Sequence, residues 1–380
     1  MTLPMIYLVA GARPNFMKIA PMVRALQANG RLRWKIVHTG QHYDRDMNEV
    51  FFEELGIPAP DVQLDAGGGT HAQQSARIMV AFEELCLRER PDCVLVVGDV
   101  NSTLACSIVA KKVGVPVAHV EAGLRSGDMS MPEEINRLVT DAISDWFFVT
   151  EPSGVEHLRA EGKPADRVFE VGHVMVDNLL YQAHKLEQMD AAVLETSAIK
   201  RSHPKYGVVT LHRPSNVDHP AVLGPLLRAV GEAARRLPIV FPVHPRTRDR
   251  LDASGLGAAL AGLPGLRVTP PIGYLDMLAL MERAQVVLTD SGGVQEETTY
   301  LGVPCLTLRE STERPATVTD GTNRVIGVRP ARVLAEIDRV LDGDRPAPRC
   351  PPLWDGHAAE RVTAVLAEQA GRAGAVAAGG

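Results

Sequence analysis

The sequence predicts two doubly wound parallel-sheet α/β units, and three observations carry that expectation. Short apolar runs alternate with longer helical patterns almost throughout the chain. Several of these runs are apolar at consecutive positions, as strands buried on both faces require. The length of 380 residues exceeds one ordinary core and suits two domains of roughly 150–200 residues.

In chain order, the first series of strands is expected at Met5–Val9 (MIYLV), Trp34–His38 (WKIVH), Cys93–Val97 (CVLVV), Val117–Val120 (VAHV), Trp146–Val149 (WFFV) and Val168–Val171 (VFEV). The helical patterns Met17–Asn29, His71–Arg88 and Ser102–Val113 lie between them. A hinge is expected near Gly172–Asp177, followed by a long polar helix at about 176–195. A second series follows at Gly207–Leu211, Ile239–Val243, Leu266–Thr269, Val286–Leu288 and Cys305–Leu308, with a helix at Val294–Leu301. The last helical stretch, about 357–370, suits packing on either domain, and the small-residue tail AGRAGAVAAGG is expected to fray. The expected division is residues 1–173, 174–356 and a C-terminal helix and tail at 357–380.

Composition narrows the function classes. Hydrophobic residues at 45% and charged residues at 23% are ordinary for a soluble globular protein. Forty basic against forty-six acidic side chains give a net charge of −6, which argues against a general nucleic-acid surface and leaves room for local basic pockets. MTLPMIYLVAGARP lacks a basic leader and reads as a buried first strand, and no apolar run reaches the roughly 18 residues a membrane span needs. Secretion and membrane insertion are not expected. Five cysteines without paired short spacing fit a reducing cytoplasm better than a disulfide framework or a zinc site.

In doubly wound sheets ligands bind beyond the carboxyl ends of the strands, so the residues directly after each run carry the chemistry. GARPNFMK, after the first run, has neither a dinucleotide fingerprint nor a Walker pair. Its glycine turn, helix start, Arg13 and Lys18 suit an anion site, and equally a plain βα turn with two solvated cations. Asp290-Ser291-Gly292-Gly293 follows a strand, with the helix expected from Val294. Two glycines and Ser291 suit a phosphate, while Glu296 and Glu297 suit either ribose hydroxyls or a helix start.

Asp99 follows CVLVVG and is a candidate acid–base group or a helix cap. Glu121 emerges from a buried strand, where an unpaired carboxylate is costly. Glu133 opens a helix, and Arg137 four residues later makes an ordinary surface ion pair the bland alternative. His212-Arg213 and His244-Pro245-Arg246 stand at second-domain strand ends, where they, Arg309 and Arg314 would face a strongly anionic ligand. Carboxylates thus gather in the first half and basic, phosphate-cradling groups in the second, as a nucleotide-diphosphate cleft with acid–base carboxylates requires.

Taken in order, GARPNFMK, VLVVGDVN, HVEAGLRSGD, PEEINR, LHRPSN, VHPRT, LTDSGGVQEE and STERPATVTDGT resemble the motifs of non-hydrolysing UDP-N-acetylglucosamine 2-epimerases, from about residue 5 to about residue 343. The resemblance implies a GT-B-like fold of two Rossmann-type domains with the active site in the cleft, a homodimer, a UDP-sugar substrate, and chemistry without NAD or metal. By motif position, Asp99, Glu121, Glu133 and His212 match catalytic residues, with Arg13, Lys18 and Arg137 orienting substrate. His244, Ser291, Gly292 and Glu297 match UDP-binding residues, with Arg213, Tyr274 and Arg309 as neighbours.

Two departures stand out. Pro214-Ser215-Asn216 follows the His-Arg pair, where better-studied bacterial members often have arginine and glutamate. Gln41-His42-Tyr43-Asp44 and the bare Gly67–Gly69 replace residues that hold an activating second UDP-sugar, so little activation is expected. The chemistry itself demands loss of UDP from carbon 1 and a base and an acid on opposite faces of the sugar ring. A GT-B glycosyltransferase, a hydrolysing 2-epimerase and a nucleotide-sugar sensor are the rival readings. A nicotinamide oxidoreductase is disfavoured by the missing GxGxxG turn.

Overall fold

A computed structural model describes residues 3–40, 49–190, 194–347 and 349–377. The chain divides into two units, Met1–Asn178 with Pro352–Gly380, and Leu179–Pro351.

The first unit is built on β1 (Met5–Ala10), β2 (Arg33–His38), β3 (Val62–Gln63), β4 (Cys93–Val97), β5 (Val117–Val120), β6 (Trp146–Val149) and β7 (Val168–Glu170). They form a seven-stranded sheet in the order β3-β2-β1-β4-β5-β6-β7, with every pair parallel. The consecutive apolar residues of β1 have a direct cause. Ile6, Leu8 and Ala10 face one buried cluster while Met5, Tyr7 and Val9 face another. Successive side chains point to opposite faces, and both faces are covered. Cys93, Leu95 and Val97 of β4 likewise face the first cluster, and Val94 and Val96 the second.

The C-terminal helix Ala358–Ala377 packs on the helix Arg13–Asn29 and sends Ala358, Val362 and Leu366 into the first cluster. The side chain of Asp177 accepts hydrogen bonds from the Ala358 and Ala359 N–H groups and so satisfies the start of that helix.

The second unit holds β8 (Gly207–Thr210), β9 (Ile239–Pro242), β10 (Leu266–Thr269), β11 (Val286–Thr289), β12 (Cys305–Thr307) and β13 (Asn323–Val325). Their order is β10-β9-β8-β11-β12-β13, again all parallel. Each sheet reverses its strand order once, between β1 and β4 in the first unit and between β8 and β11 in the second. That reversal opens a crevice at the carboxyl ends of the strands.

Some expected boundaries move. The edge strands β3 and β13 are too short to show as apolar runs. The first helix begins at Arg13, not Met17, because Pro14 already has the φ a first helical turn needs. The helix after β11 begins at Gly292, two residues before Val294. The polar helix spans Val174–Gln188 and stops short of Glu195. Thr196 donates from its N–H and its hydroxyl to Asp276, which ties the chain there to another helix.

Candidate functional site

In the first unit the turns after β4 and β5 bring several predicted residues together. The Lys18 ammonium lies 2.6 Å from Glu121 Oε2, with Glu121 buried. Gly98 packs against both. A Cβ there would stand 3.0 Å from Lys18 Nζ and 3.5 Å from Glu121 Oε2, and the φ of +64° also favours glycine. Asp99 follows directly, and its carboxylate pairs with the Arg137 guanidinium at 3.2 Å. Asp99 is not a helix cap; the next helix, Asn101–Lys112, has Val100 at that position.

Glu121 has φ +69°, a left-handed conformation that is unusual for a non-glycine residue. Such strain costs about 1–3 kcal/mol and persists where neighbours over-determine the backbone.

Arg137 sits on the helix Pro132–Ile143 and makes its i,i+3 ion pair with buried Glu134 at 2.8 Å, not an i,i+4 pair with Glu133. Burial opposes ionisation of Glu134, but the Ser126 and Gly127 N–H groups and then Arg137 outweigh it and hold its carboxyl below the usual range. Glu134 thus ties the loop after β5 to the helix, while Glu133 stays exposed one residue earlier.

The structure does not bring Arg13 to these carboxylates. Its guanidinium lies over the Phe51 ring, 4.9 Å from the centroid. The Gly11 and Ala12 amides of the same turn donate to Asn15 Oδ1.

Beneath Gly98 lies a network that sequence reasoning passed over. His119, inside β5, has Nδ1 2.6 Å from Asp141 Oδ1 and Nε2 2.9 Å from the Gly98 carbonyl oxygen. The second Asp141 oxygen accepts from the Gly123 N–H at 3.0 Å and from Arg125 at 2.8 Å. Burial opposes ionisation of Asp141, yet His119, Arg125 and the Gly123 amide keep its carboxyl below the ordinary value.

In the second unit the fully buried Asp290 organises the end of β8. It accepts from the His212 and Arg213 N–H groups and from the Asn216 amide, and lies 2.9 Å from His212 Nδ1. Burial opposes its ionisation; these partners, His212 first, hold it below the carboxylate range. The His212 Nδ1–H donates to this carboxylate, which directs the opposite nitrogen away from it. The His244 ring lies 5.5 Å from that of His212, and its Nδ1 accepts from the Arg246 N–H at the start of the helix Pro245–Ser254. Burial first, then His212, lowers the His244 pKa.

No side chain caps the helix Gly292–Leu301 at Ser291. One turn in, Tyr274 donates to Glu297 Oε1 at 2.9 Å. Burial pushes the Glu297 carboxyl up to about 7, Tyr274 pulls it down, and Glu296 adds to the rise.

Arg213, Arg309 and Arg314 of this unit already hold internal carboxylates. Glu313 pairs with Arg213 at 3.0 Å and Arg309 at 2.6 Å, and Arg314 pairs with Glu296. Burial opposes ionisation of Glu313, but Arg314, Arg309 and Arg213 hold it at about 2. Its Oε1 would stand 3.4 Å from a Cβ on Gly292, so this carboxylate sits beside the helix start.

The residues Gln41–Asp44 lie outside those described. The glycine turn after them is not bare, because Arg77 reaches back and donates to the Gly67 carbonyl at 2.7 Å and to that of Gly68. Cys86, Cys93, Cys106 and Cys305 are buried, and burial raises each thiol pKa, which suits packing and not nucleophilic attack. Among the described residues no three His, Cys, Asp or Glu side chains are grouped to hold a metal ion, and no helix is long and apolar enough to cross a membrane.

His119, Asp141, Asp290 and Glu313 were missed as individuals. The available signal was polarity in the wrong place: a histidine inside an apolar strand, and an aspartate directly after VVLT.

The family model described as UDP-N-acetylglucosamine 2-epimerase matches residues 24–367. The chain is 38% identical to the UDP-N-acetylglucosamine 2-epimerase of Methanocaldococcus jannaschii over 361 residues, 94% of this chain and 98% of that relative. It is 43% identical to the UDP-2,3-diacetamido-2,3-dideoxy-D-glucuronate 2-epimerase of Pseudomonas aeruginosa over 323 residues, covering 84% and 87%. The crystal structure of the M. jannaschii enzyme in complex with UDP-GlcNAc and UDP matches with a TM-score of 0.84 over 95% of this chain and 99% of that one, at 38% identity. MurG of Acinetobacter baumannii, 12% identical, matches at 0.55 over 98% of this chain and 100% of its own. The two parallel-sheet α/β domains are therefore of the GT-B-like kind.

Proposed function

The chain belongs to the UDP-N-acetylglucosamine 2-epimerase family and is a UDP-sugar 2-epimerase, and from that premise we propose that it interconverts UDP-N-acetylglucosamine and UDP-N-acetylmannosamine without hydrolysis. The observation that carries the reading is the cluster of Lys18, Glu121, Gly98, Asp99 and Arg137: two carboxylates, each with its own cation, on adjacent strand ends. The M. jannaschii relative, named for this activity and solved with UDP-GlcNAc and UDP, supports the same substrate.

Carbon 2 of the sugar is not next to a carbonyl, so its proton is poorly acidic. As the bond from carbon 1 to the UDP oxygen breaks, positive charge develops at carbon 1 and the carbon-2 proton becomes removable. A carboxylate takes that proton. The carbon–hydrogen pair forms the double bond of 2-acetamidoglucal, and the carbon–oxygen pair leaves with UDP. Protonation of carbon 2 from the opposite face and return of UDP give the epimer. Asp99, Glu121 and Glu133 supply the proton-transfer groups, with Lys18 and Arg137 holding two of them. Arg13 and Arg213 add positive charge for the diphosphate. His212, oriented by Asp290, donates towards the departing diphosphate, and Ser291 with Gly292 offers it an uncapped helix start. Glu297 and Tyr274 take the ribose, and His244 and Arg309 complete the nucleotide set. A homodimer is the expected assembly.

A second substrate has its own support, the 43% identity to the diacetamido-glucuronate 2-epimerase. Proton NMR with each UDP-sugar offered alone, with no other additive, separates the readings. UDP-N-acetylmannosamine from UDP-N-acetylglucosamine is the expected product. Free N-acetylmannosamine would mark a hydrolysing enzyme, and turnover of the diacetamido sugar alone would reassign the substrate.

A further inference from the structure

His119 is fully buried in the middle of β5, a strand whose other residues are apolar. Both of its ring nitrogens face oxygen. The Gly98 carbonyl, 2.9 Å from Nε2, can only accept, so Nε2 carries a hydrogen. Asp141 Oδ1, 2.6 Å from Nδ1, belongs to a carboxylate whose other oxygen is taken by the Gly123 N–H and the Arg125 guanidinium. Asp141 thus holds the imidazole ring through one oxygen and the turn after β5 through the other. Arg125 also pairs with Glu161 at 2.9 Å.

The backbone points held by this network are informative. Gly98 immediately precedes Asp99, and Gly123 follows Glu121 by two residues. The Gly123 peptide is gripped again at its other end, where His157 Nδ1 lies 2.8 Å from its carbonyl oxygen. A side chain at Gly123 would meet the Gly154 carbonyl oxygen at 2.3 Å, so the turn packs closely on the Gly154 backbone. Between these grips lies Glu121 at φ +69°, the strained residue that needs an over-determined backbone.

Resting on the reading in which Asp99 and Glu121 transfer protons, we propose that His119, held between Asp141 and the Gly98 carbonyl, is a positioning residue that locks the turns after β4 and β5 to each other and so fixes the separation of the two carboxylates. It touches neither substrate nor the reacting atoms. Its effect is on geometry, where a misplacement of about 1 Å can cost on the order of 10²-fold in rate.

The test uses His119→Asn, which keeps a donor near Asp141, and His119→Gln, which keeps one near Gly98. Neither keeps both. Each is expected to lower kcat, and the rate of carbon-2 proton exchange with solvent, by about 10- to 100-fold. KM and the Kd for UDP are expected to stay within about twofold of the unsubstituted enzyme. Nitrogen-15 NMR of histidine-labelled, unsubstituted protein is expected to show a ring N–H held in a hydrogen bond and slow to exchange with solvent, absent from the His119 variants. A folded variant with undiminished kcat, or one that loses UDP affinity in step with kcat, would overturn the proposal. So would a spectrum of the unsubstituted protein without such a protected ring N–H, which decides the matter even if neither variant folds. Asp99→Asn and Glu121→Gln are assayed in parallel. If they are inert while the His119 variants run at full rate, this inference alone fails. If they turn over normally, the acid–base assignment fails and the inference with it.

Discussion

Glu121 and Glu297 show how differently a buried carboxylate can be used. Glu121 is strained, paired with Lys18, and stands at the end of a strand. Glu297 has a tyrosine hydroxyl as its partner, and burial lifts its carboxyl to about 7. Ribose hydroxyls donate best to an ionised carboxylate. Affinity for UDP is therefore expected to rise as pH passes upward through about 7 and then to level off. Glu297→Gln is expected to weaken binding and to remove that part of the pH dependence. Isothermal titration of UDP between pH 5.5 and 8.5, with both proteins, makes the comparison, because the titration of UDP itself cancels between them. Parallel curves would contradict the assignment. The glycine pair after a strand points to Glu296 and Glu297 alike, and only the family resemblance prefers Glu297. The partners of Arg137 could not be picked out from the sequence. Spacing offered Glu133 at i,i+4, whereas the fold turns Arg137 inward to Glu134 and to Asp99, thirty-eight residues away in sequence.

Among the elements, the strands of both sheets were legible because parallel sheets covered on both faces demand continuous apolar runs. The edge strands Val62–Gln63 and Asn323–Val325 were not, since they are too short to have a pattern. The attachment of the C-terminal helix also lay beyond sequence, because an apolar stripe does not name the surface that covers it. In the structure Leu366 is fully buried in the first unit. Leu366→Ala is expected to destabilise that unit by about 2–5 kcal/mol, the range for truncating a buried leucine. Trp34, Trp146 and Trp354 all lie in the first unit, so tryptophan fluorescence reports on it selectively. The expected result is a lower urea midpoint in that signal. An unchanged midpoint would mean that the helix adds little to the fold.

At the scale of the molecule, the proposed function assigns proton transfer to carboxylates at the ends of β4 and β5 in the first unit and nucleotide binding to groups of the second unit, which has an uncapped helix start and paired arginines. Exchange of single groups should therefore have separable effects. Asp99→Asn, Glu121→Gln and Glu133→Gln are each expected to cut kcat by roughly 10²–10⁴-fold with little change in UDP affinity. Ser291→Ala is expected mainly to weaken nucleotide binding, seen as raised KM with kcat retained. A carboxylate variant that is folded and turns over normally would return that residue to a structural role.

In the proposed reaction carbon 2 loses its proton to the protein while UDP departs. Incubation of the enzyme with UDP-N-acetylglucosamine in deuterium oxide tests it directly. Proton NMR is expected to show deuterium at carbon 2 in the epimer and, as the reaction reverses, in the recovered substrate. Epimer that retains its original carbon-2 hydrogen would contradict this elimination mechanism.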